Sequence, residues 1–161
     1  MMRRYTYIYT AVLLFCISAI SAFSQTVDAG TYTGDAFLGK ASGGSIKLNG
    51  NVTITSEIAV TGNLTIDLNG YMLAGNFGNS TPGNAYLIRM NGGGATLNII
   101  NTSSEARQHE VQLYNGSKKI FTGGVITNRY NHAIALAGSS ASSRGNCNII
   151  HKFVQRIFEY L

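Results

Sequence analysis

The sequence has few charged residues and little proline, cysteine or tryptophan. Charged side chains make up 12% of its 161 residues, and there are one Pro, two Cys and no Trp. With 45% hydrophobic residues and a net charge of only +5, the composition argues against a disordered chain. The 19 Gly and 15 Asn are typical of short strands joined by tight turns, which argues against a helical bundle. The length indicates one domain, with or without a targeting segment.

Residues 1–24 have the pattern of a secretory signal peptide. Two arginines precede an apolar stretch over residues 11–17, and small residues follow, ending at residues 22–24. We expect cleavage before Gln25, which leaves 161 − 24 = 137 residues that are secreted or at the cell surface, without a membrane span. An uncleaved anchor and a lipoprotein acylated at Cys16 are the alternatives. Polar interruptions disfavour the anchor, and the bulky Phe15 disfavours the lipoprotein.

Cleavage leaves a mildly basic chain with a single cysteine. The mature charge is 10 basic minus 7 acidic residues, or +3, and Lys118-Lys119 is the one adjacent basic pair. The basic residues are scattered and do not form a stripe that could follow a phosphate backbone, so nucleic acid is not an expected partner. Cys147 then stands alone, and we interpret it as a packed residue rather than half of a disulfide.

Alternating apolar and polar residues predict several short strands. Residues 51–55 and 63–67 match at a spacing of twelve, and further strands are predicted at 95–99, 123–127 and 146–150. Taking Ile99, Ile126 and Ile149 as equivalent gives steps of 27 and 23 residues. Such steps indicate an all-β domain over residues 25–150, built as a short parallel β-helix of stacked coils. An antiparallel β-sandwich is the alternative.

Four Asn-Gly dipeptides mark turns between these strands. They begin at Asn49, Asn69, Asn91 and Asn115, and each predicts a positive φ. Such a turn either closes an antiparallel hairpin or stacks on the next coil, where the amide bonds to the equivalent Asn. Loops are predicted over residues 75–84 and 102–108.

The last eleven residues, 151–161, differ in composition from the rest. They contain no Gly, Asn, Ser or Thr, and their apolar residues fall on one face of a predicted amphipathic helix. Two interpretations stay open: a helix that caps the end of the stack, or a tail produced by truncation or a frameshift.

Residues 66–73 (IDLNGYML) resemble a segment that recurs in right-handed parallel β-helix proteins of the pectate-lyase-like superfamily, especially exported bacterial ones. Residues 95–99 and 121–126 (FTGGVI) look like the following rungs, and the resemblance covers residues 45–150. It implies a right-handed coil in a protein that binds or cleaves polysaccharide, or that serves as an adhesin or stalk. The chain is shorter than the lyases, so a truncated member is one interpretation.

The acidic residues are too few and scattered to indicate a catalytic site. After cleavage they are Asp28, Asp35, Glu57, Asp67, Glu105, Glu110 and Glu159. A lyase needs several carboxylates on one Ca²⁺, and a hydrolase needs paired acids. We interpret Asp67-x-Asn69-Gly70 as a strand-end turn and His109-Glu110 as a solvated loop pair. The sequence therefore assigns no catalytic, cofactor-binding or metal residue.

Four tyrosines are candidates for stacking on sugar rings: Tyr71, Tyr86, Tyr114 and Tyr130. Filling gaps between rungs is the interpretation favoured for each. The sequence as a whole indicates an exported, non-catalytic module that contacts polysaccharide or another surface polymer through one face. A truncated fragment of a polysaccharide lyase or glycoside hydrolase is the alternative.

The signal-peptide interpretation predicts the N-terminus of the exported protein. Mass spectrometry should find a mature chain that begins at Gln25. A retained first residue or a lipid on Cys16 would contradict this expectation.

Overall fold

The computed structural model describes residues 25–77, 86–91, 94–113, 115–130, 133–136, 146–150 and 154–156. These residues form short strands and one helix, α1 (Gly34–Leu38). In chain order the strands are β1 (Gln25–Val27), β2 (Gly30–Tyr32), β3 (Ser45–Leu48), β4 (Val52–Ile54), β5 (Ile58–Val60), β6 (Leu64–Asp67), β7 (Met72–Gly75), β8 (Ile88–Met90), β9 (Thr96–Ile100), β10 (Gln108–Gln112), β11 (Lys118–Thr122), β12 (Gly124–Asn128), β13 (Ile134–Leu136), β14 (Asn146–Ile150) and β15 (Val154–Arg156). The domain is therefore all-β, as the composition predicts.

Three parallel sheets contain all the strands except β10 and β11. In spatial order, sheet 1 is β1-β3-β6-β9-β14, sheet 2 is β2-β4-β7-β12-β15 and sheet 3 is β5-β8-β13. Parallel neighbours cannot be joined by a tight hairpin, so the chain must leave each sheet and return to it later. This parallel pairing makes the alternative of an antiparallel sandwich wrong.

The chain passes through the sheets in a repeated order. We call each passage a rung: rung 1 is β1, β2 and α1, rung 2 is β3–β5, rung 3 is β6–β8, rung 4 is β9–β13 and rung 5 is β14 and β15. In rung 1, α1 takes the place of a sheet 3 strand and packs beside β5. A Cβ at Gly34 would lie 1.9 Å from the carbonyl oxygen of Glu57, so only glycine allows this approach.

Inward side chains of neighbouring rungs lie in register and form the core. Ile46 pairs with Ile66, which pairs with Ile99, and all three are fully buried. Alternation places the polar residues between them toward solvent, because successive side chains of a strand point to opposite faces. Burial of each isoleucine contributes about 2 kcal/mol of hydrophobic stabilisation.

The strand predictions are confirmed, but one predicted equivalence is wrong. Ile99 and Ile149 do pair in sheet 1, whereas Ile126 lies in sheet 2 opposite Leu73. The true steps in sheet 1 are 20 residues from Ile46 to Ile66, 33 to Ile99 and 50 to Ile149. The steps lengthen because segments are inserted between strands, so a constant period does not describe the path of the chain.

A strand also occupies part of the predicted C-terminal helix of residues 151–161. β15 pairs in parallel with β12, with Val154 opposite Gly124. The free edge of β12 offers backbone donors and acceptors, and pairing with them replaces the hydrogen bonds of a helix. The helix prediction is wrong for Val154–Arg156, and the rest of the tail lies outside the described residues, as do residues 1–24.

Asparagine side chains connect successive rungs where strands begin. The amide oxygen of Asn51, just before β4, accepts a hydrogen bond from Met72 N at 3.0 Å in the next rung. Asn63, just before β6, accepts in the same way from Thr96 N at 2.9 Å. Asn51 and Asn63 are the first residues of the two segments that match in sequence, and they have the same role, because each adds one hydrogen bond to the backbone ladder.

The turns after the sheet 1 strands are also linked from rung to rung. Asn49 Nδ2 donates to Asp28 Oδ1 at 3.0 Å, and Asn69 Nδ2 donates to the Leu48 carbonyl oxygen at 3.0 Å. These turns therefore contact each other from rung to rung, but the predicted bond to the equivalent Asn is wrong, because the acceptors are a carboxylate and a backbone carbonyl. Asn69 has a positive φ of 48° and Gly70 one of 81°, as an Asn-Gly turn predicts, but the prediction is wrong for Gly50.

Asp67, at the end of β6, gathers donors from three rungs. Its carboxylate accepts from Asn69 N at 2.9 Å, Thr102 N at 3.0 Å and Thr102 Oγ1 at 2.6 Å. Lys47 Nζ of the preceding rung lies 3.5 Å from Oδ2. Asp67 is only 5% exposed, and its partners satisfy the buried charge. The interpretation of this segment as a strand-end turn is confirmed.

We expect Asp67→Ala to lower the free energy of unfolding by about 3 kcal/mol, because buried donors lose a charged acceptor. Urea denaturation with an unchanged m-value measures this loss. Asp35→Ala is the matched control, since Asp35 is exposed in the first turn of α1 and its loss should cost less than about 1 kcal/mol. Equal losses in the two variants would contradict the role of Asp67.

Candidate functional site

An antiparallel hairpin between β9 and β12 covers part of the outer face of sheet 2. It consists of β10 and β11, and its turn contains Asn115-Gly116, with Gly116 at a φ of 83°. Asn115 Oδ1 accepts from Ser117 N at 3.0 Å, which holds this turn. One of the four Asn-Gly dipeptides therefore closes a hairpin.

Alternation along β10 and β12 attaches the hairpin to the sheet. In β12, Ile126 points into the main core while Val125 points outward and is nevertheless fully buried. It is covered by Val111, Leu113 and Phe121 of the hairpin, with Met72 packed beside them. These residues form a second, smaller apolar cluster, which we call the hairpin cluster.

A groove of about 240 Å³ lies where the hairpin meets the outer face of sheet 2. Its lining combines both elements: Thr53, Met72, Ala74, Gly75, Asn76, Glu110, Val111, Gln112, Thr127 and Arg129. Thr53, Ala74 and Thr127 stand opposite one another on three adjacent strands, so their side chains share one outer face. The floor of the groove is therefore flat, and its wall is the edge of the hairpin.

Most polar side chains of the groove are uncharged. Thr53, Asn76, Gln112 and Thr127 offer hydroxyls and amides, groups that both donate and accept hydrogen bonds. Glu110 is paired with Lys118, whose Nζ lies 2.7 Å from Oε1, and both side chains are exposed. The arrangement can bind a polar ligand along an open surface.

His109 and Glu110 lie in β10 rather than in a loop, so that part of the sequence interpretation is wrong. The alternation of the strand sends them to opposite faces. Glu110 is exposed, whereas His109 is 5% exposed and its Nε2 lies 2.8 Å from the Gly70 carbonyl oxygen. The two residues therefore do not form a pair, and His109 ties the hairpin to the Asn69-Gly70 turn.

The other acidic residues of the described chain are dispersed over the fold. Asp28 and Asp67 accept hydrogen bonds within the turns, Asp35 is exposed in α1, and Glu57 and Glu105 form ion pairs with arginines. Within the described ranges no three His, Cys, Asp or Glu side chains are grouped as metal ligands. Glu159, His132 and His151 lie outside those ranges.

Three of the four candidate tyrosines are partly buried and lie under arginine side chains. Tyr71, Tyr86 and Tyr130 each have a guanidinium within 5.2 Å of the ring centroid. A cation on one face of a ring leaves that face closed to a sugar. Tyr114 lies outside the described residues, and for Cys147 the structure describes only the backbone of its strand, β14.

Sequence reasoning did not single out the residues that line the groove. Thr53 and Thr127 belong to predicted strands, but Asn76, Gln112 and Arg129 follow no motif. The available signal is the alternation of Thr31, Thr53 and Thr127 with apolar residues, which marks one outward face once the sheet is known. The hairpin that completes the groove is signalled only by its Asn-Gly turn.

Comparison with protein-family models, curated proteins and solved structures found no match to this chain. In the described part of the chain, no helix has the length and apolar character needed to cross a membrane.

The separate hairpin cluster predicts that the groove wall can open without unfolding the sheets. Leu113→Ala should raise amide hydrogen exchange in β10 and β11 at least about tenfold, because Leu113 packs only in the hairpin cluster. Exchange in β4 and β7 should stay unchanged.

Leu73→Ala is the matched control, since Leu73 is fully buried in the main core. It should raise exchange in all three sheets. If Leu113→Ala also accelerated exchange throughout the sheets, the hairpin would be part of one cooperative core.

Proposed function

We propose that this protein is an exported, non-catalytic module with a short right-handed parallel β-helix, and that it binds polysaccharide or another surface polymer in the groove. The groove is the observation that carries the proposal. Four uncharged polar side chains line it, on a flat face bounded by the hairpin. Sugar hydroxyls match these groups, because both donate and accept hydrogen bonds.

The path of the chain supports the β-helix. Rungs 2, 3 and 4 each pass from sheet 1 to sheet 2 to sheet 3, and every neighbouring pair within these sheets is parallel. Parallel rungs about 4.8 Å apart repeat the same outward position at regular intervals. A polymer with repeating units can contact such a face at several equivalent positions. A single small molecule needs only one pocket, so the repeated positions favour a polymer as the ligand.

The residue pattern of the first 24 positions supports export, as the sequence alone predicts.

The contacts that the acidic residues make support binding rather than catalysis. Asp28 and Asp67 serve the turns, and Glu57, Glu105 and Glu110 are paired with basic side chains. Within the described residues, the groove contains Glu110 as its single acid, whereas a glycoside hydrolase needs two.

Affinity electrophoresis of the exported chain through gels that contain xylan, dextran or polygalacturonate tests the proposal. At least one polymer should retard the protein, and Gln112→Ala should weaken that binding about fivefold through loss of a hydrogen bond. Gln108→Ala is the matched control, because Gln108 is also exposed on β10 but does not line the groove.

Failure of every polymer to retard the protein would overturn the proposal, as would equal losses in the two glutamine variants. A second assay addresses the alternative of a lyase fragment. Incubation with polygalacturonate and Ca²⁺ should give no absorbance from unsaturated product. Activity that a chelator abolishes would favour the enzyme fragment instead.

A further inference from the structure

Three arginines of the described chain hold their guanidinium groups over tyrosine rings. The distances from Cζ to the ring centroid are 5.2 Å for Arg89 over Tyr86, 4.3 Å for Arg107 over Tyr71 and 5.0 Å for Arg129 over Tyr130. A guanidinium over a ring keeps N–H groups that can donate to an acceptor at that edge.

Two of the three guanidinium groups have a carboxylate at that edge. Arg89 Nε lies 2.8 Å from Glu57 Oε2, and an Arg107 terminal nitrogen lies 2.5 Å from Glu105 Oε2. Arg129 has no carboxylate within 4.0 Å among the described residues. The Nε atoms of Arg107 and Arg129 are both buried without a hydrogen-bond partner in the described chain, so the feature that distinguishes Arg129 is the missing carboxylate. A charged donor in that state is costly unless something else supplies the acceptor.

Arg129 is also the member of this set that lines the groove. The other charged residue of the groove lining is Glu110, whose charge is already compensated by Lys118. Among the described residues, the groove therefore carries one uncompensated positive charge beside uncharged hydroxyls and amides. A neutral sugar would offer hydroxyl groups to Arg129 but would leave its positive charge without a counter-charge.

This inference rests on the proposed function. We infer that the bound polysaccharide is anionic and that Arg129 binds its carboxylate or sulfate group, as Arg89 and Arg107 bind glutamate carboxylates. Arginine suits this role because its planar fork matches either group with two hydrogen bonds. Arg129 is then the residue that determines specificity for charged over neutral polymers.

Dextran, carboxymethyl dextran and dextran sulfate test this inference, because they share one backbone and differ in charge. In affinity electrophoresis at about 0.15 M salt, which screens distant charges, the protein should bind at least one charged dextran about tenfold more tightly than dextran. Arg129→Gln should remove that tenfold preference, as expected for loss of a charge-assisted hydrogen bond.

Lys40→Gln removes the same charge from an exposed position after α1 and should keep the preference. Retained binding of the Arg129→Gln protein to uncharged dextran or xylan, together with unchanged circular dichroism, would show that it is folded. Equal binding of all three dextrans, or equal losses in the Arg129 and Lys40 variants, would overturn the inference. The proposed function would still stand if Gln112→Ala weakened polysaccharide binding while Gln108→Ala did not.

Discussion

Every feature of this fold depends on the parallel register between successive rungs. A slip of one residue would turn each inward isoleucine to solvent, so the register must be held at the strand ends as well as within the sheets. Asn51 and Asn63 hold it where strands begin, and Asp67 holds it where β6 ends. These contacts lie at the corners where the chain passes from one sheet to the next, and they connect residues 21 to 35 positions apart in the sequence.

The corner between sheets 1 and 2 also positions the groove. His109 contacts the carbonyl oxygen of Gly70, the residue that follows the Asn69 turn, and so it anchors the start of β10 to rung 3. A Cβ at Gly70 would lie 3.1 Å from Ser103 Oγ, and its positive φ also favours glycine. The Val125 contact then places the hairpin over sheet 2. The groove wall thus depends on the turn that the IDLNG segment encodes.

Most acidic side chains of the described chain make structural contacts and do not lie on the surface available to a ligand. Asp67 is buried and accepts hydrogen bonds that connect the rungs. Glu57 and Glu105 each form an ion pair with an arginine that is stacked on a tyrosine. With so few acids, this use leaves a groove in which four uncharged polar side chains stand beside two charged ones and an apolar part formed by Met72, Ala74 and Val111. Under the proposed function, the hydroxyls and amides of this open groove would bind the hydroxyl groups of an extended polymer.

The sequence by itself determined the strand type and the turn chemistry, because alternation and Asn-Gly dipeptides act through neighbouring residues. It therefore predicted the all-β class and the strand β6 with its turn after Asp67. It also predicted both ends of β14 correctly. Tertiary structure decided which sheet each strand joins, since pairing depends on residues far apart in sequence. Ile126 entered sheet 2, Val154 joined the free edge of β12, and His109 was buried rather than solvated. Tertiary structure also decided the groove, because its floor and wall come from segments that only the folded chain brings together.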